Sequence, residues 1–204
     1  MPFLPALDLP EPPDHVFGMA TPHHMLSKLA WEIGGLRQTV ENQDKDYRSI
    51  MIAAYQAYNC AITAWHCADW AWSFGDEWVR AKLSERYDVR PVGKDRTRLD
   101  AFCNAVASRN RDIHICRSIA NGSKHMKLTN PDPTVAAAFV WSERKNVEGD
   151  AHYGFELFIR DSGEDRQAVE VFRGAFDYWD GLFMDLGYVE PRYIGPDDDG
   201  DRGP

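Results

Sequence analysis

The chain has 204 residues, of which 44% are hydrophobic and 12% aromatic, and its 23 Lys and Arg against 32 Asp and Glu give a formal net charge of −9. This aromatic content supplies enough buriable surface for a globular domain, which excludes a chain that is disordered throughout. The acidic balance, without a long Lys/Arg run, excludes a protein that binds duplex DNA mainly through the charge of the phosphate backbone. A small basic pocket remains compatible with it.

The two ends of the chain differ in composition from the middle. Residues 1–22 are rich in proline and lack the charge order of a secretory signal, which predicts a cytoplasmic protein with an extended N-terminal arm. A single domain is expected over residues 23–189. The acidic, Pro-containing tail over residues 190–204 is expected to be disordered.

Apolar residues at three-and-four spacing predict four helices in the first two thirds of the domain. They span residues 25–40, 47–74, 76–87 and 96–120. The second contains no Pro or Gly, and the fourth is expected to stop at Asn121-Gly122. The second and fourth are long enough to form an antiparallel pair.

The longest predicted helix carries no Lys, Arg, Asp or Glu between Ser49 and Ala68, a length comparable to a membrane span of about 20 residues. Polar residues interrupt this stretch, which therefore predicts the centre of a helical bundle and no membrane association. The four cysteines contain no CxxC pair and are expected to be reduced thiols in the core. They are Cys60, Cys67, Cys103 and Cys116.

The hydrophobic period changes to two in the last third of the domain. Apolar residues alternate on both sides of a polar stretch around Asn146 and Gly149, which predicts a β-hairpin at about residues 134–160. A closing helix is expected to begin near Asp161 and Ser162, either of which could cap it. The predicted fold is mainly α, a helical bundle around two long antiparallel helices with a C-terminal β-hairpin and a closing helix.

Polar residues follow one side of each long helix. On the first they are Gln56, Asn59, Thr63, His66, Asp69 and Ser73, and on the second Asn110, His114, Arg117 and Asn121, with Lys124 and His125 continuing the line. An unsatisfied polar group in an apolar setting costs roughly 1–3 kcal/mol, so each stripe requires a partner. We expect the two stripes to meet and to form a basic cluster whose natural ligand is an anion.

The segment from Arg109 to His114 reads Arg, a polar residue, and then His at the fifth position after the Arg. This pattern resembles the signature of the HEPN superfamily, the helical domains of many bacterial toxin and phage-defence ribonucleases. The resemblance covers at most residues 44–125. The segment from Arg117 to His125 departs from the signature, because its Arg-to-His spacing is eight.

The resemblance implies metal-independent cleavage of RNA without a cofactor, at a site formed between two subunits of a homodimer. An antitoxin or another protein is then a candidate partner. The histidine would move a proton as the 2′-hydroxyl attacks, and arginine would neutralise charge on the phosphate. The catalytic candidates are Arg109, His114, Arg117 and His125, and the candidate substrate-binding residues are His66, Asp69, Asn110, Asn121 and Lys124.

Other interpretations stay open at this stage. A non-catalytic interaction or anion-binding module, with a structural polar network between the helices, fits the same stripes. His66 and Asp69 at i and i+3 could hold a metal with His114 or His125, although we expect none. An aromatic cluster at the end of the first long helix and the start of the next could stack bases, but packing in the core is the simpler interpretation. It comprises Trp65, Trp70, Trp72, Phe74 and Trp78.

Overall fold

The computed structural model describes residues 20–41, 47–90, 93–124, 133–145 and 151–188. Within these ranges the chain forms six helices and three strands. In chain order they are α1 (Pro22–Glu41), α2 (Tyr47–Phe74), α3 (Glu77–Tyr87), α4 (Asp95–Arg109), α5 (Arg111–Lys124), β1 (Val135–Lys145), β2 (Ala151–Asp161), β3 (Glu164–Gln167) and α6 (Ala168–Asp185). The mainly α fold, the C-terminal hairpin and the closing helix are confirmed. The predicted acidic tail and nearly all of the predicted N-terminal arm lie outside the described residues.

Helix α2 forms the centre of the bundle and has the predicted bounds. One face of it consists of small, fully buried side chains, including Ala61, Ala64 and Ala68, which let neighbouring helices approach closely. The indole of Trp179 in α6 packs here and donates a hydrogen bond from Nε1 to the carbonyl oxygen of Ala64, at 2.8 Å. The four cysteines are free and buried. Within the described ranges, no helix combines the length and the apolar character that crossing a bilayer requires.

The prediction of one continuous helix over residues 96–120 is wrong, because the chain breaks at Asn110 into α4 and α5. Asn110 has extended backbone angles, φ −127° and ψ 116°. Its side-chain Oδ1 accepts a hydrogen bond from the backbone N–H of Ile113 at 3.0 Å, as an N-cap residue does. An asparagine side chain that bonds the backbone in this way competes with helix continuation.

The predicted stop at Asn121-Gly122 is also wrong, since α5 continues to Lys124. Glycine ends a helix when it adopts a positive φ, and the glycines that do so in the described chain are Gly93, Gly163 and Gly187. A glycine that keeps helical angles inside a helix costs only about 1 kcal/mol relative to alanine.

The hairpin pairs β1 and β2 in antiparallel register, from Val135 opposite Asp161 to Lys145 opposite Ala151. A third strand, β3, which the sequence did not predict, pairs with the other edge of β2. It follows a two-residue turn in which Ser162 and Gly163 both have positive φ, 54° and 95°, a conformation that suits a tight hairpin. The closing helix therefore begins at Ala168 instead of near Asp161 and Ser162, and Gln167 at its N-cap makes no side-chain capping bond.

Candidate functional site between α2 and α5

Helices α2 and α5 pack against each other in antiparallel directions. Ile119, late in α5, lines a small cavity together with Tyr58 of α2. One turn earlier in α5, burial raises the pKa of the Cys116 thiol, and the nearby thiols of Cys60 and Cys67 add to that rise. Higher numbers in α5 therefore face lower numbers in α2.

The expectation that the two polar stripes meet is nevertheless wrong for half of the α2 stripe. Gln56 and Asn59 line a groove between α1 and α2, and the Thr63 hydroxyl accepts a hydrogen bond from Lys28 of α1.

Arg117 connects the two helices. Its guanidinium lies over the indole of Trp65, with 5.1 Å between the guanidinium carbon and the ring centroid. Burial, followed by the carboxylates of Asp69 and Asp100, raises the pKa of the Cys103 thiol to about 12, while the Arg117 charge acts in the opposite direction. Arg117 and Asp69 thus lie on the same flank of α2, both close to Cys103 of α4.

His114 lies one turn before Arg117 on the same face of α5. Because the helices are antiparallel, that turn falls at the level of the turn of α2 that carries His66 and Asp69. Both histidines are half-buried, and so is Asp69. The backbone carbonyl of His114 accepts a hydrogen bond from the Ser118 hydroxyl at 3.0 Å.

Together these residues form what we call the α2–α5 seam. It consists of Tyr58, Trp65 and Asp69 from α2 and His114, Arg117 and Asn121 from α5. Half-buried His66 follows Trp65 on α2 at the same level. The antiparallel packing directs half-buried Asn121 towards the Tyr58 end of this seam. Lys124 is the last residue of α5, but its side chain, like the whole of His125, lies outside what the structure describes.

Arg109 and Asn110, the start of the Arg-to-His motif, are engaged by the fold itself. The Arg109 guanidinium donates a hydrogen bond to the backbone carbonyl of Arg86, in the last turn of α3, and lies 5.4 Å from the Tyr87 ring centroid. Asn110 caps α5 through its side chain. The motif therefore spans the break between two helices, and only His114 of its two named positions lies on α5.

Two charged residues that follow Asn110 hold the start of α5, and sequence analysis missed both. Arg111 donates hydrogen bonds to a carboxylate oxygen of Asp161, at 2.5 and 2.9 Å, which joins α5 to the end of β2. Asp112 accepts a hydrogen bond from Arg166 of β3 at 2.6 Å. The one available signal was the acidic residue in a first helical turn, which is visible only once the break at Asn110 is known.

Asp112 also lies against α6. A Cβ atom placed on Gly174 would lie 2.0 Å from Asp112 Oδ2, so only glycine admits that carboxylate between the two helices. The direction of α5 relative to the sheet and to α6 is therefore fixed by its first two residues.

The aromatic cluster of α2 and α3 divides by burial. Trp72 is fully buried and packs on Phe102 with 5.4 Å between ring centroids, as the core interpretation predicts. Phe74 and Trp78 are exposed, and Trp65 borders the seam. The spacing pattern did not reveal the exposed tyrosines of α2, Tyr55 and Tyr58, which lie one turn apart on its outer surface.

Two cavities of the described molecule lie away from the seam, and a smaller one borders it at Tyr58. A cavity of about 620 Å³ lies between α1, β2 and α6, with Arg37, Glu156, Arg173 and Phe176 among its lining residues. A groove of about 390 Å³ lies between α1 and α2, and the small cavity beside Tyr58 measures about 120 Å³. Neither His66 nor His114 lines any of these cavities. Among the described side chains, no group of three His, Cys, Asp or Glu could hold a metal ion.

Comparison with known proteins gives no match to any family model, to any curated protein or to any solved structure.

Proposed function

We propose that the α2–α5 seam binds single-stranded RNA and that the protein cleaves it without a metal, as a HEPN-like ribonuclease of toxin or phage-defence type. The observation that carries this proposal is the position of the Arg117 guanidinium, which lies across the two helices on the Trp65 ring, one turn from His114 on the same face. A cation and an imidazole so placed are the two groups that phosphodiester cleavage requires.

The reaction follows from the chemistry of these side chains. His114 accepts the proton of a ribose 2′-hydroxyl as the general base. The hydroxyl oxygen then attacks the phosphorus, and a 2′,3′-cyclic phosphate forms as the bond to the 5′-oxygen breaks. The leaving 5′-oxygen takes up a proton from water, and His114 returns its proton to solvent. Arg117 donates charge-assisted hydrogen bonds to the phosphate oxygens as negative charge accumulates on them.

Exposed aromatic residues beside the seam support RNA as the ligand. Tyr55 and Tyr58 are 59% and 42% exposed. Bases stack on such rings with little regard to sequence, at about 1–3 kcal/mol per base. The overall charge of −9 repels a polyanion, so we expect binding to be local, confined to a few nucleotides and weakened by salt.

The partners implied by the HEPN resemblance belong to the same proposal. We infer a cytoplasmic homodimer in which a second copy completes the site, with an antitoxin or another protein controlling it. Light scattering of the purified chain measures the first of these directly. A monomeric mass at concentrations at which RNA is cleaved would contradict the dimer and leave the cleavage proposal standing.

The decisive experiment is incubation of the purified protein with mixed RNA in the presence of EDTA. We expect cleavage to 2′,3′-cyclic phosphate ends, reduced by about 100-fold or more in His114→Ala and in Arg117→Ala. Arg160→Ala is the matched control, because Arg160 is exposed on β2 and pairs only with nearby Asp165 among the described residues. Intact RNA with the native protein, or equal cleavage by all variants, would refute the enzyme proposal.

A non-catalytic anion-binding module is the second candidate. It is favoured by Arg109 and Asn110, whose polar groups already bond to the α3 backbone and to the first turn of α5. This candidate predicts RNA binding that Arg117→Ala and Tyr58→Ala weaken, without any cleavage product. Binding and product formation, measured on the same samples, separate the two candidates.

A further inference from the structure

A second polar site lies on the other flank of α2, in the groove of about 390 Å³ that α1 and α2 enclose. We call it the α1–α2 groove. Trp31 and Ile52 form apolar parts of its lining, and amide and hydroxyl groups supply most of the rest, including Gln38 and Asn59. Glu32 is the sole charged residue among the lining residues of this groove.

Glu32 is 7% exposed, and one of its carboxylate oxygens is already engaged. Oε1 accepts a hydrogen bond from the ammonium group of Lys28, which also donates to the hydroxyl of buried Thr63. Oε2 is buried and has no hydrogen-bond partner within the described structure. A buried carboxylate oxygen without a donor destabilises the fold, and a bound donor would recover that loss.

Gln56 adds a second acceptor of the same kind. Its side-chain Oε1 is also buried without a hydrogen-bond partner, and the residue lines the same groove. Its Nε2 lies 3.3 Å from the place where a Cβ atom on Gly35 would stand, so a side chain at Gly35 would crowd the amide. Two residues that line the groove therefore carry buried acceptor oxygens that lack donors within the described structure.

The charge of the groove selects the type of donor. Lys28 already neutralises Glu32, so a second cation would lie close to the Lys28 ammonium and be repelled by it. A neutral group with two N–H donors on one edge satisfies both oxygens without that repulsion. Trp31, 77% exposed beside the groove, offers a ring face on which a planar group can stack.

We propose that the α1–α2 groove binds a guanine base, whose ring N–H and exocyclic amino group lie side by side on one edge. The N–H groups donate to Glu32 Oε2 and Gln56 Oε1, and the base stacks on Trp31. The guanine can belong to a free nucleotide or to a base within RNA, since both present the same edge. This inference stands on the groove alone and does not depend on cleavage at the α2–α5 seam.

Calorimetric titration with guanosine, inosine and adenosine tests the donor pattern. We expect guanosine to bind most tightly, inosine about 10-fold more weakly because it lacks the amino group, and adenosine more weakly still because its ring nitrogen on that edge is an acceptor. Guanosine monophosphate and a guanine-containing tetranucleotide then distinguish the two sources by which of them binds more tightly. Equal affinity for guanosine and adenosine, or no heat with guanosine at millimolar concentration, would overturn the proposal.

Two variants connect the binding to the groove. Glu32→Gln is expected to abolish the preference for guanosine over adenosine. Because Glu32 is buried, that variant could fail to fold, so the second variant is Trp31→Ala, which removes an exposed side chain. We expect Trp31→Ala to weaken guanosine binding by roughly 5- to 150-fold, the range of one stacking contact, and Trp78→Ala, an exposed tryptophan on α3, to leave it unchanged. Equal effects of the two tryptophan variants would place the nucleoside outside this groove.

Discussion

Two consecutive stretches of the chain, Arg109–Asp112 and His114–Asn121, contain the same kinds of residues and have opposite relations to the fold. In the first, described side-chain contacts join each residue to another part of the molecule: the α3 backbone, the first turn of α5, β2 and β3. In the second, Arg117 lies on an aromatic ring, and His114 and Asn121 are half-buried along the same face. The residues of the first stretch orient α5. Those of the second stretch lie along the face of α5 that borders the α2–α5 seam.

This difference shows that residue type and spacing do not distinguish residues that hold the fold together from residues that could bind a ligand. Arg109 lies five residues before His114 and Arg117 lies three residues after it, but one bonds to a carbonyl oxygen at the end of α3 and the other spans two helices. A guanidinium that donates to a backbone carbonyl uses that N–H group within the fold, whereas a guanidinium stacked on a ring face keeps its N–H donors available for a ligand. The partner, which only the fold supplies, decides the role.

The first stretch should carry most of the stability, and Asp112→Ala tests this most strongly. The substitution leaves the half-buried Arg166 guanidinium without its carboxylate and opens a gap beside Gly174. We expect the free energy of unfolding to fall by about 1–3 kcal/mol, measured by urea denaturation. Asp177→Ala, an exposed aspartate of α6, is the control and should change it by less than about 0.5 kcal/mol. Equal effects of the two changes would mean that the Asp112 contact does not hold α5.

Asn110→Ala should have the next largest effect. It removes the side-chain oxygen that accepts the Ile113 N–H, and loss of such a cap costs about 1 kcal/mol. Asn110→Ser retains a capping oxygen and should recover most of that loss, while Asn104→Ala, at an exposed position of α4, should be neutral or slightly stabilising. If alanine at position 110 were instead stabilising, α4 and α5 would merge readily into one helix, and the break would have little energetic basis.

Arg117→Ala should have a smaller effect on stability than either change, in spite of its expected loss of RNA cleavage or binding. The contact that it removes in the described structure is with the Trp65 ring, and such an interaction is worth about 0.5–1 kcal/mol at a partly exposed site. Thermal and urea unfolding of the same preparation used for the RNA assay measure this. A loss above about 2 kcal/mol would show that Arg117 holds the fold together as Asp112 does. It would contradict the difference between the two stretches.

The sequence predicted much of the fold because its strongest signals are local. Hydrophobic periodicity located α2 and the hairpin, where long uninterrupted patterns admit one interpretation. The break at Asn110 and the turn at Ser162 and Gly163 could not be predicted in this way. Each depends on a few residues whose alternative conformation is favoured only when distant parts of the chain, such as Asp161 beside Arg111, are in place.

The candidate site was predictable to a smaller degree. Spacing along α2 and α5 indicated that polar residues share a face, and the antiparallel packing of the two helices is as expected. Spacing did not show that Gln56, Asn59 and Thr63 face α1. Spacing could not show that Trp65 is the residue beneath Arg117, nor that Glu32 lies in a groove, because burial of a charged residue contradicts its usual preference for solvent. Contacts between elements that are distant in the sequence become visible only in the folded structure.

The smallest expected effect concerns pH and the ion pair between Arg111 and Asp161. The hydrogen bond from Arg111 holds the pKa of the Asp161 carboxyl below its ordinary value of 3.8. The pair therefore stabilises the fold fully above that value and loses its contribution as pH falls below it, through the lower pKa of the folded state. Because Arg111 is 40% exposed, we expect Arg111→Ala to lower the free energy of unfolding by less than about 1 kcal/mol near neutral pH, and by progressively less below about pH 4.

Arg173→Ala, an exposed arginine of α6, should show no such dependence on pH. A difference between native protein and Arg111→Ala that persists unchanged at about pH 2 would mean that Arg111 orients α5 through packing and not through its charge.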